Sequence, residues 1–458
     1  MCTPVHLVSD SASEPIESVD QLVRYFAAAG KPPEQWRIGT EHEMIGAYNS
    51  GARVGRAPPY DTPCGIGAFF AAFARHGWHP VREDDTVIAL TCAGAQVTFE
   101  PGGQLEHAVR PLRHADDLAQ AMSRNVTQLA EPSAHCGLSW LSIGFRPFGT
   151  LDDVPWMPKK RYALMREYMP TRGALAHEMM KRTATVQVNL DYQDTDDARS
   201  KMRAMMSVTS LLTAIFANSP VVDGALTDYQ SYRSRIWLDT DPDRCGLLPF
   251  VFEEVDVFRA YTEWALDVPM FFIHRGEYRS AGGMTFRRFM REGFEGERAT
   301  MNDWTLHLST LFPEARLKTY IEVRGCDAGS FEMITALGVL ARGLFYDADA
   351  RSAATALTAD LDYDSRVALV RSVPRGGMRT AVGRTTVGDL CRELYAIARA
   401  GVARQEPSEL PYLEAVRVIV EEGRTQADRV ADIWRHHEGD ATAIIRELSY
   451  PRLGRPAV

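Results

Sequence analysis

Cysteine is sparse in this chain and unpaired in pattern. Its seven cysteines (Cys2, Cys64, Cys92, Cys136, Cys245, Cys326, Cys391) are scattered over 458 residues, and none forms a Cys-x-x-Cys pair. That argues against a zinc site or a thioredoxin-like motif, and an odd, sparse set points to reduced thiols in the cytoplasm. No run approaches the ~18 apolar residues of a membrane span. Met1 to Glu17 has neither the basic nor the apolar region of a secretory leader. A basic excess is also missing: Lys and Arg total 51 against 60 Asp and Glu, a net charge of −9. That speaks against a nucleic-acid partner while leaving room for a local basic pocket. There is no internal repeat and no low-complexity tract. The phosphate loop G-x-x-x-x-G-K-[ST], the dinucleotide turn G-x-G-x-x-G, G-x-S-x-G and H-E-x-x-H are all absent; His42-Glu43 and His177-Glu178 each lack the second histidine.

What is present is an ordinary globular composition, 45% apolar and 24% charged, with apolar mass for a large core. Several stretches alternate with period two and so read as strands with one apolar and one polar face. In Trp36 to Met44, Glu41 and Glu43 share a face. In Gln96 to Glu100, Gln96, Thr98 and Glu100 do. Thr183 to Asp191 alternates most cleanly, with Gln187 and Asn189 on the polar side. Lys318 to Gly325 puts Lys318, Tyr320, Glu322 and Arg324 opposite Thr319, Ile321 and Val323. Glu106 resumes the chain just after Pro101-Gly102-Gly103, which reads as a bend. Between these lie helices with 3.6-residue apolar spacing, among them residues 65–77, 115–130 and 198–216; the methionines of the last read as core. Tyr232 to Trp237 reads as a polar loop in which Arg233 and Arg235 are placed to grip a carboxylate or phosphate, or are a surface pair. Beyond residue 330 five helical stretches (331–346, 354–361, 386–400, 410–422, 427–437) form a buttress, and the tail from Tyr450 reads as disordered. The organisation expected is one catalytic domain over residues 1–458, with a sheet-bearing core (18–330) and a helical buttress (331–449).

Adjacent carboxylates on a strand repel unless a cation covers them. If the polar strand faces belong to one antiparallel sheet, Glu41, Glu43, Glu100, Glu106 and Glu322 converge. Hard divalent cations resolve that clustering, and Mg²⁺ is the usual partner of carboxylates with phosphates. The alternative for Glu41 and Glu43 is a solvated edge strand. Arginine beside carboxylate-bound Mg²⁺ is equipment for a nucleotide triphosphate and a transferring phosphoryl group. With no phosphate loop, ATP would bind on the sheet face.

These residues carry a family resemblance. Arg37-Ile38-Gly39-Thr40-Glu41-His42-Glu43, Phe99-Glu100-Pro101-Gly102-Gly103-Gln104-Leu105-Glu106, Thr185 to Asp191, and Tyr320-Ile321-Glu322-Val323-Arg324-Gly325 resemble the plant and proteobacterial class of glutamate–cysteine ligase. So do Met157-Pro158-Lys159 with Arg161-Tyr162, Ile236 to Asp241, and Leu311-Phe312-Pro313-Glu314. The match is collinear from about Val19 to the C-terminal helices. It implies an α+β, glutamine-synthetase-like fold: a curved antiparallel sheet lined by metal-binding acids and surrounded by helices. It implies that ATP phosphorylates the side-chain carboxylate of glutamate and that the amine of cysteine displaces phosphate. By position, Glu41, Glu43, Glu100, Glu106 and Glu322 would hold two or more Mg²⁺ ions, with Gln187 at a further metal-contact position. Arg324 would be catalytic together with Glu322, and Arg233 with Arg235 would bind substrate. The partners implied are small molecules only, in a monomer or homodimer without nucleic acid or membrane.

The chain departs from the family pattern in three places. His107-Ala108-Val109 stands for Leu-Ser-Gly. Cys326-Asp327-Ala328-Gly329-Ser330-Phe331 stands for Ala-Asp-Gly-Gly-Pro-Trp. Arg235 stands for His. These departures open the alternatives of a ligase of the same chemistry with another amine or acid, and of a non-catalytic paralogue.

Overall fold

The alternating stretches assemble into one sheet. The structure, a computed structural model, describes residues 15–450. Nine antiparallel strands are joined in it: β1 (Ile38–Tyr48), β2 (His79–Glu83), β3 (Thr86–Cys92), β4 (Ala95–Phe99), β5 (Leu105–Leu112), β6 (Leu138–Leu141), β7 (Thr185–Leu190), β8 (Ala315–Leu317) and β9 (Ile321–Asp327). Their order is β8-β9-β7-β1-β5-β4-β3-β2, and β6 pairs with the C-terminal end of β1. The longest strand, β1, is therefore central and not a solvated edge. Its first half is flanked by β5 and β7, and Ile45 to Tyr48 pass to β6. Irregular register beside Ile38, between Val323 and Cys326 and between Val81 and Arg82 bends the sheet, as an extra residue on one strand must.

One face is closed by helices. Val186, Val188 and Leu190 of β7 and Ile321 and Val323 of β9 join the main core with the Thr195–Ile215 and Phe331–Phe345 helices. Met202, Met205 and Met206 are buried there, as the stripe predicts. Burying each such side chain contributes ~1.5–3 kcal/mol. A second cluster packs Phe69, Phe70 and Phe73 of the Ile66–Ala74 helix against Leu90, Val97, Phe99 and Trp140. The fold expected from the resemblance, a curved antiparallel sheet surrounded by helices, is the one observed.

Several element expectations change. The strand expected from Lys318 starts only at Ile321. Residues 318–320 turn between β8 and β9, with Lys318 N donating to Tyr320 O at 2.7 Å. Lys318 thus does not share a strand face with Glu322. Tyr232–Trp237 is a short helix rather than a loop, capped by Ser231 Oγ, which accepts from Ser234 N. The helix expected at 354–361 lies at Ala348–Ala356, and the helices Tyr363–Gly376 and Ala441–Leu448 were not anticipated. Nor was β8, since three residues are too few to display alternation. Tyr450, expected in a disordered tail, is tied down: its N donates to Trp140 O at 3.0 Å and its hydroxyl to Gly329 O at 2.8 Å. The residues after it lie outside the described ones.

Candidate active site

Register decides which polar side chains meet. On the open face Glu41 stands opposite Gln187, Glu43 opposite Glu106, and Glu106 in turn opposite Thr98. Glu322 stands opposite Asn189. Glu100 follows β4 at a tight turn, with Gly103 N donating to Glu100 O and Glu100 N to Gln104 O, both at 2.8 Å. Gly103 has φ +81, and a Cβ on Gly102 would lie 2.0 Å from Lys181 O, so this bend also lets two backbones touch. Gln104 locks it by donating to Met180 O and Thr183 O.

The four acids Glu41, Glu43, Glu100 and Glu106 are only partly covered and face a cavity. Asn189 Nδ2 donates to Glu41 at 2.8 Å and Thr185 N to Glu43 at 3.0 Å. Among the described residues no Lys, Arg or His nitrogen comes within the 4.0 Å of an ion pair with any of the four. Burial and then Glu100 push the Glu43 carboxyl up to about 8. Burial, with Glu100, Glu41 and Glu43, drives Glu106 well above the usual carboxylate range. Burial and Glu322 raise Glu41. Among the described residues no three His, Cys, Asp or Glu side chains are gathered into a ready metal site. The donor set is nonetheless all oxygen and makes no ion pair among the described residues. It suits a hard divalent cation whose other ligands are phosphate oxygens and water.

Glu322 behaves differently. It is fully buried, its Oε2 accepts from Arg316 Nε, and its Oε1 accepts from Arg316 Nη2 at 2.8 Å and Arg324 Nη1 at 3.2 Å. Although burial opposes it, the two guanidinium groups hold this carboxyl down to about 2. Both oxygens are committed to arginine, so here Glu322 is an anchor for Arg316 and Arg324. Gln187 Oε1 likewise accepts from Arg324 Nη1 at 2.9 Å. The Arg324 guanidinium stands 5.8 Å from the Trp237 ring and 5.5 Å from Phe312.

The arginine pair splits. Arg233 is 3% exposed; its Nη2 donates to Arg324 O at 3.0 Å, its Nη1 lies 3.9 Å from Asp327 Oδ1, and its Nε has no partner. Asp327 is held by Asn218 N, Ser219 Oγ and Ser231 Oγ. Arg235, one helical step away, is 35% exposed, lies 4.0 Å from Asp239, and does not line the cavity. Two residues apart on a helix cannot face the same way.

Two connected hollows lie over the sheet. The larger, about 500 Å³, reaches from Gln96 and Thr98 on β4 to Lys318 and Tyr320 beyond β8. The smaller, about 150 Å³, holds Glu43, Gln187, Arg233 and Arg324 beneath Met165, Met179, Trp237 and Phe272. Glu41, Glu100, Glu106, Arg161 and Arg316 line both. Arg316, Lys159 and Arg161 had no assigned role from the sequence. Arg316 sits on the unrecognised β8, and Lys159 and Arg161 sit in a motif with no charge pattern of its own. A separate hollow of about 640 Å³ among the C-terminal helices shares no residue with either.

Residues 37–447 match the family model described as glutamate-cysteine ligase family 2. The chain belongs to that family. It is 38% identical over 443 residues to the chloroplastic glutamate–cysteine ligase A of Oryza sativa subsp. japonica, covering 96% of this chain and 89% of that protein. It is 37% identical over 445 residues to the chloroplastic glutamate–cysteine ligase of Arabidopsis thaliana, covering 96% and 84%. The crystal structure of glutamate–cysteine ligase from Francisella tularensis in complex with AMP aligns with a TM-score of 0.53 at 13% identity, over 90% of this chain and 88% of that one. That likeness shows a shared fold.

One sequence expectation is corrected by these findings. The cytoplasmic location is overturned, because the relatives that span nearly the whole chain are named chloroplastic. All six described cysteines are free thiols, and scattered thiols carry no address. The departures from the family pattern also fall largely off the cavity. His107 points to the closed face, and Cys326 and Ala328 are fully buried. Ser330 and Phe331 face the separate hollow, and Ala108 adds only a methyl to the larger cavity wall.

Proposed function

We propose that this protein is an ATP-dependent ligase that activates the side-chain carboxylate of glutamate and joins it to the amine of cysteine. Family membership supports the reaction class. One observation carries the placement: Glu43 and Glu106 face each other across neighbouring strands, with no ion pair to either among the described residues, in a cavity that also holds Arg324 and Arg233.

A bare carboxylate does not form an amide at a useful rate, so activation comes first. An oxygen of the glutamate side chain attacks the terminal phosphorus of ATP, the bond to ADP breaks, and an acyl phosphate forms. The cysteine amine attacks the acyl carbon; the C–O bond breaks with its electron pair leaving on phosphate, and the nitrogen gives up a proton. Arg324, oriented by Glu322 and Gln187, neutralises charge on the transferring phosphoryl group. Arg233, with its free Nε, takes a carboxylate of glutamate. Glu41, Glu43, Glu100 and Glu106 would hold Mg²⁺, which screens the phosphate charge. Met165, Met179 and Phe272 keep water from the acyl phosphate. Arg235 is left out of this set.

The test is a stoichiometric assay with Mg²⁺, ATP, glutamate and cysteine. The expected outcome is one ADP, one phosphate and one γ-glutamylcysteine per turnover. ADP release only with a different amine would reassign the acceptor.

A further inference from the structure

We infer that Lys159 and Arg161 form the phosphate-holding wall of the larger cavity, contacting the nucleotide's phosphate oxygens at the end of the sheet away from Arg316. The inference rests on the ligase reading and deepens it.

Lys31 is paired with Asp191 at 2.5 Å, and Arg316 is bound through both ends of its fork to Glu322. Arg37 donates to the backbone carbonyls of Glu34 and Trp36, and Lys318 to the Tyr320 hydroxyl. Lys159 is more deeply enclosed than Lys31 and Lys318. It is 5% exposed, the most enclosed ammonium along this cavity, yet its hydrogen bond goes to a neutral hydroxyl, Thr98 Oγ1 at 2.5 Å. The Phe99 and Tyr162 rings lie 4.8 and 5.3 Å from Nζ. Among the described residues no carboxylate oxygen comes within 4.0 Å of either Lys159 or Arg161. Arg161 Nε is buried without a partner.

Glu100 and Glu106 act on the Lys159 charge from beyond ion-pair distance, but enclosing it without a carboxylate in contact is costly, and an ammonium has two further N–H donors to satisfy. An anion arriving in the cavity supplies both needs. The position narrows which anion. Lys159 lines the larger cavity but not the smaller one, so it is remote from the chamber of Arg233 and Arg324. Arg161 lines both and stands at their junction. A polyphosphate lying along the acids Glu41, Glu100 and Glu106 would run past Lys159 and end beside Arg161. The segment is firmly set for this. Lys159 precedes the Lys160–Tyr168 helix, and the Tyr162 hydroxyl donates to Phe99 O at 2.9 Å.

The experiment compares equilibrium binding of ADP and of adenosine to the full chain, for the wild type and for Lys159→Met and Arg161→Gln. The methionine keeps the buried stem, and melting temperature monitors folding. Loss of one charge-assisted contact should weaken ADP about tenfold to a hundredfold and leave adenosine unchanged, with Lys159→Arg recovering part of the loss. Equal weakening of ADP and adenosine, or no weakening of either, overturns the inference. Should the wild type make no γ-glutamylcysteine while Lys159→Met still loses ADP selectively, the ligase reading falls and the phosphate wall stands.

Discussion

On β7, Val186, Val188 and Leu190 point into packed helices, while Gln187 and Asn189, one residue out of step, point over the carboxylates. The closed face is covered by the chain itself, with both His42 ring nitrogens, His107 Nδ1 and Thr40 Oγ1 buried without a hydrogen-bond partner among the described residues. Even its polar intruders are enclosed: His42 and His107 are each 2% exposed with rings 5.3 Å apart, and burial pushes His42 down to about 4, so it packs as a neutral ring. The open face is incomplete. Among the described residues its four acids make no ion pair, nor do Arg37, Lys159, Arg161 and Lys318, and the larger of the two hollows is about 500 Å³. The closed face is packed shut on folding, whereas the open face keeps room for ligands. Stability is therefore expected to reside on one side and chemistry on the other.

That division can be broken from either side. The largest effect is expected from Arg324→Ala, which should lower kcat by ~10²–10³ with the fold retained, measured by steady-state kinetics and circular dichroism. A drop in substrate affinity alone would remove Arg324 from the phosphoryl step. Next is Leu190→Ala on the closed face. It should cost about 3 kcal/mol by denaturant unfolding, while activity per folded molecule stays within about twofold. A matching loss of activity would show that the faces are not separable.

A smaller effect is expected from Mg²⁺ on melting. The Glu43 carboxyl is raised in the folded chain from 4.5 to about 8, so the folded state holds its proton more tightly than the unfolded chain does. Its contribution is favourable below about 4.5 and is lost as pH rises through about 8. Mg²⁺ competes with that proton and relieves the repulsion, so it should raise Tm by a few degrees more at pH 8 than at pH 6. Equal shifts at the two pH values would detach Glu43 from the cation site. The smallest effect belongs to Arg235→Ala, with kcat and KM both within about twofold. A tenfold rise in the KM for glutamate would bring Arg235 back to the substrate.

Part of the site could be read before any fold was known. Alternation is a local property of extended chain, so Glu41 and Glu43 had to share a side, as did Gln187 and Asn189. The methionine stripe at 202–206 was legible for the same reason: its signal lies within a few residues. Arg316 was not, because it reaches Glu322 across β8, a strand too short to show a period. The different fates of Arg233 and Arg235 depended on recognising a short helix where polar residues suggested a loop.

The sequence by itself determined which residues could share a strand face and, through collinear motifs, the family. Only the tertiary structure decided which of those residues meet. Strand register set Glu43 against Glu106, and the neighbouring β8 brought Arg316 onto Glu322, which accepts from two arginines. The physical reason is range. Side-chain alternation is fixed by backbone geometry from one residue to the next, whereas pairing between strands far apart in sequence is set by the packing of the whole core.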